Sequence, residues 1–171
     1  MIFSYNDAAA VSPYLLFDYA GPYDFPPANT RRGVGEHPHR GFETVTYMID
    51  GTFEHRDSIG GGGRISDGDT QWMTAGRGLV HSEMPTREMM RDGGLMHGMQ
   101  LWVNLPRRDK MIPPAYQNIE AQQLTLFTSA DAGSLVRLIA GAIGEFKGPG
   151  STHTPITLAH ASIPAGSRVV L

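Results

Sequence analysis

The chain has 171 residues, the length of one domain or of one domain and part of another. Its 21 glycines and 12 prolines disfavour a helical bundle, while 40% hydrophobic and 18% charged residues exclude disorder throughout, so short strands joined by tight turns are expected. The net charge of −3 gives no electrostatic basis for binding nucleic acid or an anionic membrane, and the absence of cysteine excludes disulfides and thiolate metal sites.

The N-terminal segment, residues 1–36, is predicted to be largely irregular. It lacks the basic and apolar regions of a signal peptide, and no stretch approaches the roughly 18 consecutive apolar residues of a membrane span. We therefore expect a soluble protein of the cytoplasm. Prolines disfavour helices throughout the segment, and residues 14–17 form the one short apolar strand expected there.

From about residue 41 to 105, the sequence predicts a series of strands. Turns recur about every 8–12 residues with no helical pattern between them, which is typical of an antiparallel sandwich or barrel. Asp50-Gly51 predicts a two-residue hairpin, residues 60–63 a glycine-rich hairpin tip, and Gly68-Asp69 a further turn. The expected strands are 42–49, 52–57, 70–74, 79–84 and 95–105.

The C-terminal part is predicted to contain further strands around a connector. We expect strands at 135–140, 155–163 and 168–171, and a Gly/Pro-rich connector at 144–155. The sequence stops within an apolar strand, whose unpaired edge a native domain would seldom leave exposed. We therefore expect this part to be truncated.

Two short motifs could together hold a metal ion. His37 and His39 are two residues apart, so on an extended backbone both imidazoles point to one face, and His81 and Glu83 form a second such pair. Three imidazoles and one carboxylate suit Fe, Mn, Co, Ni, Cu or Zn better than Mg or Ca. On a six-coordinate metal they would leave two positions open, as a catalytic site requires. On spacing alone, ordinary surface or hydrogen-bonded histidines are an equal alternative.

Several long blocks of sequence are specific enough to compare with known families. They are HPHRGFETVTY at 37–47, EHRDS at 54–58 and QWMTAGRGLVHSEMP at 71–85, with shorter blocks at 14–22, 100–106 and 110–117. These blocks resemble the signature of the pirin family, within the cupin superfamily, and the similarity covers about residues 13–120. The resemblance implies an all-β fold, with a metal-binding cupin barrel (a jelly roll, or double-stranded β-helix) at residues 1–120. Residues 121–171 would be a connector and the incomplete start of a second cupin barrel.

The resemblance also implies which residues form the metal site. The ion would be one divalent transition metal, Fe(II) foremost, with Zn, Mn, Ni, Co or Cu as alternatives. Glu43 stands where many other cupins place a carboxylate ligand, and in pirins it would support the site rather than bind the metal. Gln100 matches a residue near the metal that could orient water or substrate. The implied ligands are His37, His39, His81 and Glu83.

Other residues of this region have less specific interpretations. Phe42 and Trp72 are expected to wall the cavity, although packing in the core explains them equally well. His55 is interpreted as a strand histidine held by polar neighbours. His97 is not needed as a ligand, because the implied set is complete without it.

The resemblance implies a metal-dependent dioxygenase that cleaves flavonols such as quercetin with dioxygen, in which Glu83 takes up the substrate's hydroxyl proton. The alternative is a metal- or redox-sensing protein that binds transcriptional regulators or metabolic enzymes without turnover. A third possibility is a metal that serves structure only. No direct nucleic-acid partner and no membrane are expected. Because imidazoles must be neutral to bind a metal, occupancy is expected to fall below about pH 6 to 6.5.

Overall fold

The structure, a computed structural model, describes residues 1–30, 32–129, 133–167 and 169. Short helices lie at Ala8–Val11 (α1) and Arg87–Asp92 (α2). No helix in these ranges is long and apolar enough to cross a membrane. The strands are β1 Tyr14–Phe25, β2 Val34–His39, β3 Phe42–Asp50, β4 Phe53–Asp57, β5 Gly62–Ile65, β6 Thr70–Thr74, β7 Leu79–Pro85, β8 Gly94–Asn104, β9 Ala115–Ile119, β10 Thr125–Thr128, β11 Leu135–Ala140, β12 Ala142–Ile143, β13 Phe146–Lys147 and β14 Leu158–Ser162.

The chain forms two compact units, residues 1–118 and 119–171. The first unit contains a five-stranded sheet of order β1-β8-β3-β6-β9 and a four-stranded sheet of order β2-β7-β4-β5. Strand β8 pairs antiparallel with β1 and β3, and β7 pairs antiparallel with β2 and β4. The all-β fold predicted from the sequence is confirmed.

The two sheets of the first unit pack face to face through apolar side chains from both. Met48 of the five-stranded sheet contacts Phe53 and Ile65 of the four-stranded sheet in one buried cluster. Met73 and Leu79 join the sheets in the same way in a second cluster. Each such side chain stabilises the fold by about 1.5–3 kcal/mol relative to an exposed one, so these clusters fix the spacing between the sheets.

The predicted hairpin at Asp50-Gly51 is wrong, because the chain changes sheets there. Strand β3 pairs with β6 and β8, whereas β4 pairs with β5 and β7. Gly51 has φ +106°, and a Cβ at this position would lie 2.6 Å from the Leu95 carbonyl oxygen. The glycine therefore allows a close passage beside β8 rather than a two-residue hairpin turn.

The glycine-rich hairpin tip is shorter than predicted, since only Gly60 and Gly61 lie in the connection between the paired strands β4 and β5. Gly62 and Gly63 belong to β5, where they pair with Arg56 and His55 of β4. Gly68, with φ +82°, makes the predicted turn.

The N-terminal segment is more regular than predicted. Strand β1 has 12 residues and runs through Pro22, and β2 follows within residues 34–39. Because β1 lies at the edge of its sheet, a proline in it costs little pairing, and the register shifts between Ala20 and Tyr23.

Helix α2 was not predicted from the sequence. Its six residues are too short to show a helical period, and its signal is the cap, since the Thr86 hydroxyl accepts a hydrogen bond from the Met89 N–H at 3.2 Å.

The second unit is built around β11, which was predicted at its observed bounds. Strand β11 pairs antiparallel with β10 and β14, and its side chains Val136, Leu138 and Ile139 are buried. The predicted connector contains the short strand β13, and the Phe146 ring on it stacks on Phe127 at 4.3 Å. The strand expected at 168–171 lies almost entirely outside the described residues.

Candidate metal centre

The two predicted pairs lie on neighbouring strands, His37 and His39 on β2 and His81 and Glu83 on β7. In the antiparallel register of β2 and β7, His37 is opposite His81, and His39 is opposite Leu79. The ring centroids of His37 and His81 are 4.4 Å apart, and His39 lies 4.7 Å from His37 and 4.9 Å from His81. One ring nitrogen from each histidine lies within 4.8 Å of those of the other two. The structure therefore brings these three imidazoles together.

Glu83 lies two residues beyond His81 on the same face of β7. Its register partner is His55 of β4, whose Nε2 lies 3.5 Å from Glu83 Oε1. His55, His81 and Glu83 form a second group with potential ligand atoms within 4.8 Å of one another. The two groups share His81, so Glu83 and His55, which was interpreted as a strand histidine held by polar neighbours, lie beside one of the three imidazoles.

The ring nitrogens of this cluster fit a metal ion. Among the described residues, no hydrogen-bond partner reaches His39 Nε2, nor either ring nitrogen of His81 or His55. These histidines are 6%, 1% and 3% exposed, and buried polar atoms without partners are costly. A cation that accepts the one lone pair of a neutral imidazole removes part of that cost, and imidazole with carboxylate suits first-row divalent metals.

His37 has a defined orientation. Its Nδ1 lies 2.7 Å from the Gly35 carbonyl oxygen, to which only a protonated Nδ1 can donate. That hydrogen bond leaves Nε2 as the unprotonated nitrogen, the arrangement in which a histidine binds a metal.

Burial shifts the pKa values of several side chains in the cluster. It lowers the pKa of His39 and of His55 to about 3, and neighbouring imidazoles lower both values further. Burial and His37 likewise lower the pKa of His81 to about 4, against a smaller opposing effect of Asp57. Burial raises the pKa of Glu83, while His37 and the hydrogen bond from Gln100 oppose the change. The lone pairs of His39, His55 and His81 are therefore available at neutral pH.

Gln100 of β8 reaches the cluster from the opposite sheet. Its Nε2 donates to Glu83 Oε1 at 2.6 Å and to Thr46 Oγ1 at 3.3 Å. Its Oε1 accepts from Trp102 Nε1 at 3.0 Å. The amide is therefore held at both ends, and it fixes the position of the Glu83 carboxylate.

Aromatic side chains lie beside His39. The Phe42 ring is 5.0 Å from the His39 ring, and Trp102 is 5.1 Å from it. Phe42 and Trp102 also contact each other at 4.7 Å. Phe42 is one of the residues expected from the sequence to wall the cavity. Trp102 lies on the same face of the sheet as Phe42, because the β3–β8 register places Trp102 opposite Thr44.

Glu43 and Trp72 occupy the other face of the five-stranded sheet. Glu43 is opposite Val103 and Thr74, one residue out of phase with Phe42, and Trp72 is opposite Val45. Both side chains are fully buried, and Glu43 Oε1 accepts a hydrogen bond from Thr74 Oγ1 at 2.7 Å. The structure thus does not bring these two predicted residues to the histidines.

Side-chain alternation continued from His39 would place Glu43, four residues later, on the same face, but the alternation does not continue through the intervening turn. Gly41, with φ +78°, lies where the chain leaves the four-stranded sheet for the five-stranded one. Facing rules apply within a strand, and here a new strand starts with its own phase.

Comparison with known proteins places the fold in a family. A family model described as Pirin matches residues 2–103. A Pseudomonas aeruginosa protein provisionally named a quercetin 2,3-dioxygenase is 48% identical over 171 residues, which cover 99% of this chain and 60% of that protein. A crystal structure of quercetin 2,3-dioxygenase from Acinetobacter baumannii is 48% identical, with a TM-score of 0.87, and the match covers 92% of this chain and 55% of that one.

A third relative is described with a metal. The bacterial pirin YhhW from Escherichia coli, solved in complex with nickel(II), is 29% identical with a TM-score of 0.52, and the match covers 74% of this chain and 55% of that one. The chain thus spans somewhat more than half the length of these relatives. The cupin fold inferred from the motifs is confirmed, and the chain belongs to the pirin family.

Proposed function

We propose that this chain holds one divalent transition metal, Fe(II) foremost, and acts as a dioxygenase on flavonols such as quercetin. The proposed ligands are His37, His39, His81 and Glu83. The observation that carries the proposal is the convergence of three imidazoles, two of them buried, whose ring nitrogens lie within 4.8 Å of one another. The nickel(II) complex of the Escherichia coli pirin and the names of the 48% identical relatives support both the metal and the reaction class.

The metal-binding domain is proposed to comprise residues 1–120, and residues 121–171 the connector and start of a second cupin domain. The division of the chain into units at residues 118 and 119 supports this proposal.

When bound, a divalent metal would acidify the flavonol's 3-hydroxyl and bring the substrate together with dioxygen. Glu83 is proposed to accept the hydroxyl proton, and the hydrogen bond from Gln100 to its Oε1 at 2.6 Å supports this role by orienting the carboxylate. In the overall reaction, dioxygen is reduced, both of its oxygen atoms enter the ring-opened ester, and one ring carbon leaves as carbon monoxide.

Phe42 and Trp102 are suited to contact the flavonol rings. Their rings form a continuous apolar wall beside His39, with all three centroids within about 5 Å of one another. Such a wall excludes water from the reacting atoms and orients a flat aromatic substrate.

The test is aerobic incubation of the Fe(II)-loaded protein with quercetin, measuring the decay of flavonol absorbance and the metal content of the same sample. We expect turnover by the wild type and loss of both metal and turnover in His81→Ala. The matched control is His153→Ala, an exposed histidine of the second unit, which should retain both. Equal turnover by His81→Ala, or stoichiometric metal with no turnover, would refute the dioxygenase.

A further inference from the structure

A cavity of about 730 Å³ lies on the outer face of the four-stranded sheet. Because side chains alternate along β7, Met84 points to the face opposite His81 and Glu83 and lines this cavity. Residues 27–29 and α2 form the remaining walls, and the Ala28 N–H donates to the Met90 carbonyl oxygen at 2.8 Å. The cavity is therefore separate from the candidate metal centre, and a backbone hydrogen bond connects two of its walls.

The lining carries an excess of positive charge. Three arginines, Arg56, Arg87 and Arg91, face one carboxylate, Glu54. Arg56 lies 3.4 Å from Glu54, and Arg91 pairs with its neighbour Asp92.

Arg87 differs from the other two arginines, because no carboxylate pairs with it among the described residues. Its guanidinium offers a planar set of donors that matches the two oxygens of a carboxylate. The cavity thus contains an anion-binding group that no side chain of the described protein uses.

The rest of the lining favours a ligand whose anionic group is attached to an aromatic ring. Met84 and Met90 contribute thioethers, which make favourable contacts with aromatic rings, and Pro85 adds an apolar surface. The volume lies within the range of about 300–1,000 Å³ that is typical of small-molecule sites.

We propose that this cavity binds a small aromatic carboxylate, with the carboxylate on Arg87 and the ring against Met84 and Met90. The site goes beyond the proposed dioxygenase and does not depend on it, because none of its lining residues belongs to the histidine cluster.

The probe is 2-naphthoate, titrated into the metal-free protein and followed by its fluorescence. We expect saturable binding by the wild type and a loss of at least about tenfold in affinity in Arg87→Ala, since the variant lacks the charged hydrogen-bond donor for the carboxylate. The uncharged amide, 2-naphthamide, should bind at least about tenfold more weakly than 2-naphthoate.

A matched control locates the site. Arg107→Ala removes another exposed arginine, outside the cavity, and should leave the affinity unchanged. No saturable binding, equal affinity in wild type and Arg87→Ala, or an equal loss of affinity in Arg107→Ala would overturn the proposal.

Discussion

The buried histidines make the stability of the metal-free protein depend on pH, and His81 gives the sharpest test. Its pKa falls from the usual 6.5 to about 4 in the folded protein, chiefly through burial. Below pH 6.5 the unfolded chain therefore binds a proton at this residue that the folded chain does not. The contribution of neutral His81 to the free energy of unfolding is fully present above pH 6.5, and it is lost as the pH falls from 6.5 to 4.

The magnitude follows from the two pKa values. One pKa unit corresponds to about 1.4 kcal/mol, so the full window represents roughly 3 kcal/mol. Between pH 7.5 and pH 5 the linkage relation yields about 2 kcal/mol for His81 alone. Since domains of this kind have a total stability of about 5–15 kcal/mol, the loss is measurable.

The assay is urea unfolding of metal-free wild type and His81→Gln at pH 7.5 and pH 5. Gln does not titrate, so the variant should lose about 2 kcal/mol less between the two pH values than the wild type does. His153→Gln, at an exposed position, should behave as the wild type does. An identical pH dependence in wild type and His81→Gln would refute the reasoning. The lowered pKa values of His39 and His81 also mean that protons compete with a metal at these two ligands only below the pH 6 to 6.5 expected from the sequence.

Two further substitutions test the surroundings of the centre. Gln100→Leu removes the donor that positions Glu83, so metal affinity in a chelator competition should fall about 10–100-fold, and Gln122→Leu at an exposed site should not change it. Gly51→Ala should lower the urea midpoint more than Gly60→Ala, because both have positive φ but only the first places a Cβ within 2.6 Å of a carbonyl oxygen. Equal metal affinity in the first pair, or equal midpoints in the second, would contradict these contacts.

The sequence predicted the part of the site that depends on local geometry. His37 with His39, and His81 with Glu83, each lie on one uninterrupted strand, so a spacing of two residues was sufficient to place each pair on one face. The family resemblance then linked the two strands. The observed pairing of His37 with His81 is the register that this link requires.

The parts that the sequence did not predict depend on which strands pair. His55 reaches Glu83 only because β4 pairs with β7, and the Asp50-Gly51 signal favoured a different partner for β4. Glu43 lies on the other face because the turn at Gly41 starts a strand of the second sheet with a new phase. The positions of His55 and Glu43 cannot be predicted from residue spacing within one segment, because both depend on which strands pair.

Strand β7 serves two compartments at once, and this limits how its length can change. His81 and Glu83 face inward, while Ser82 and Met84 face the outer cavity. Inserting one residue between His81 and Glu83 would turn the carboxylate outward and redirect every side chain that follows. Point substitutions can remodel either compartment separately, but an odd-numbered insertion or deletion would damage both together.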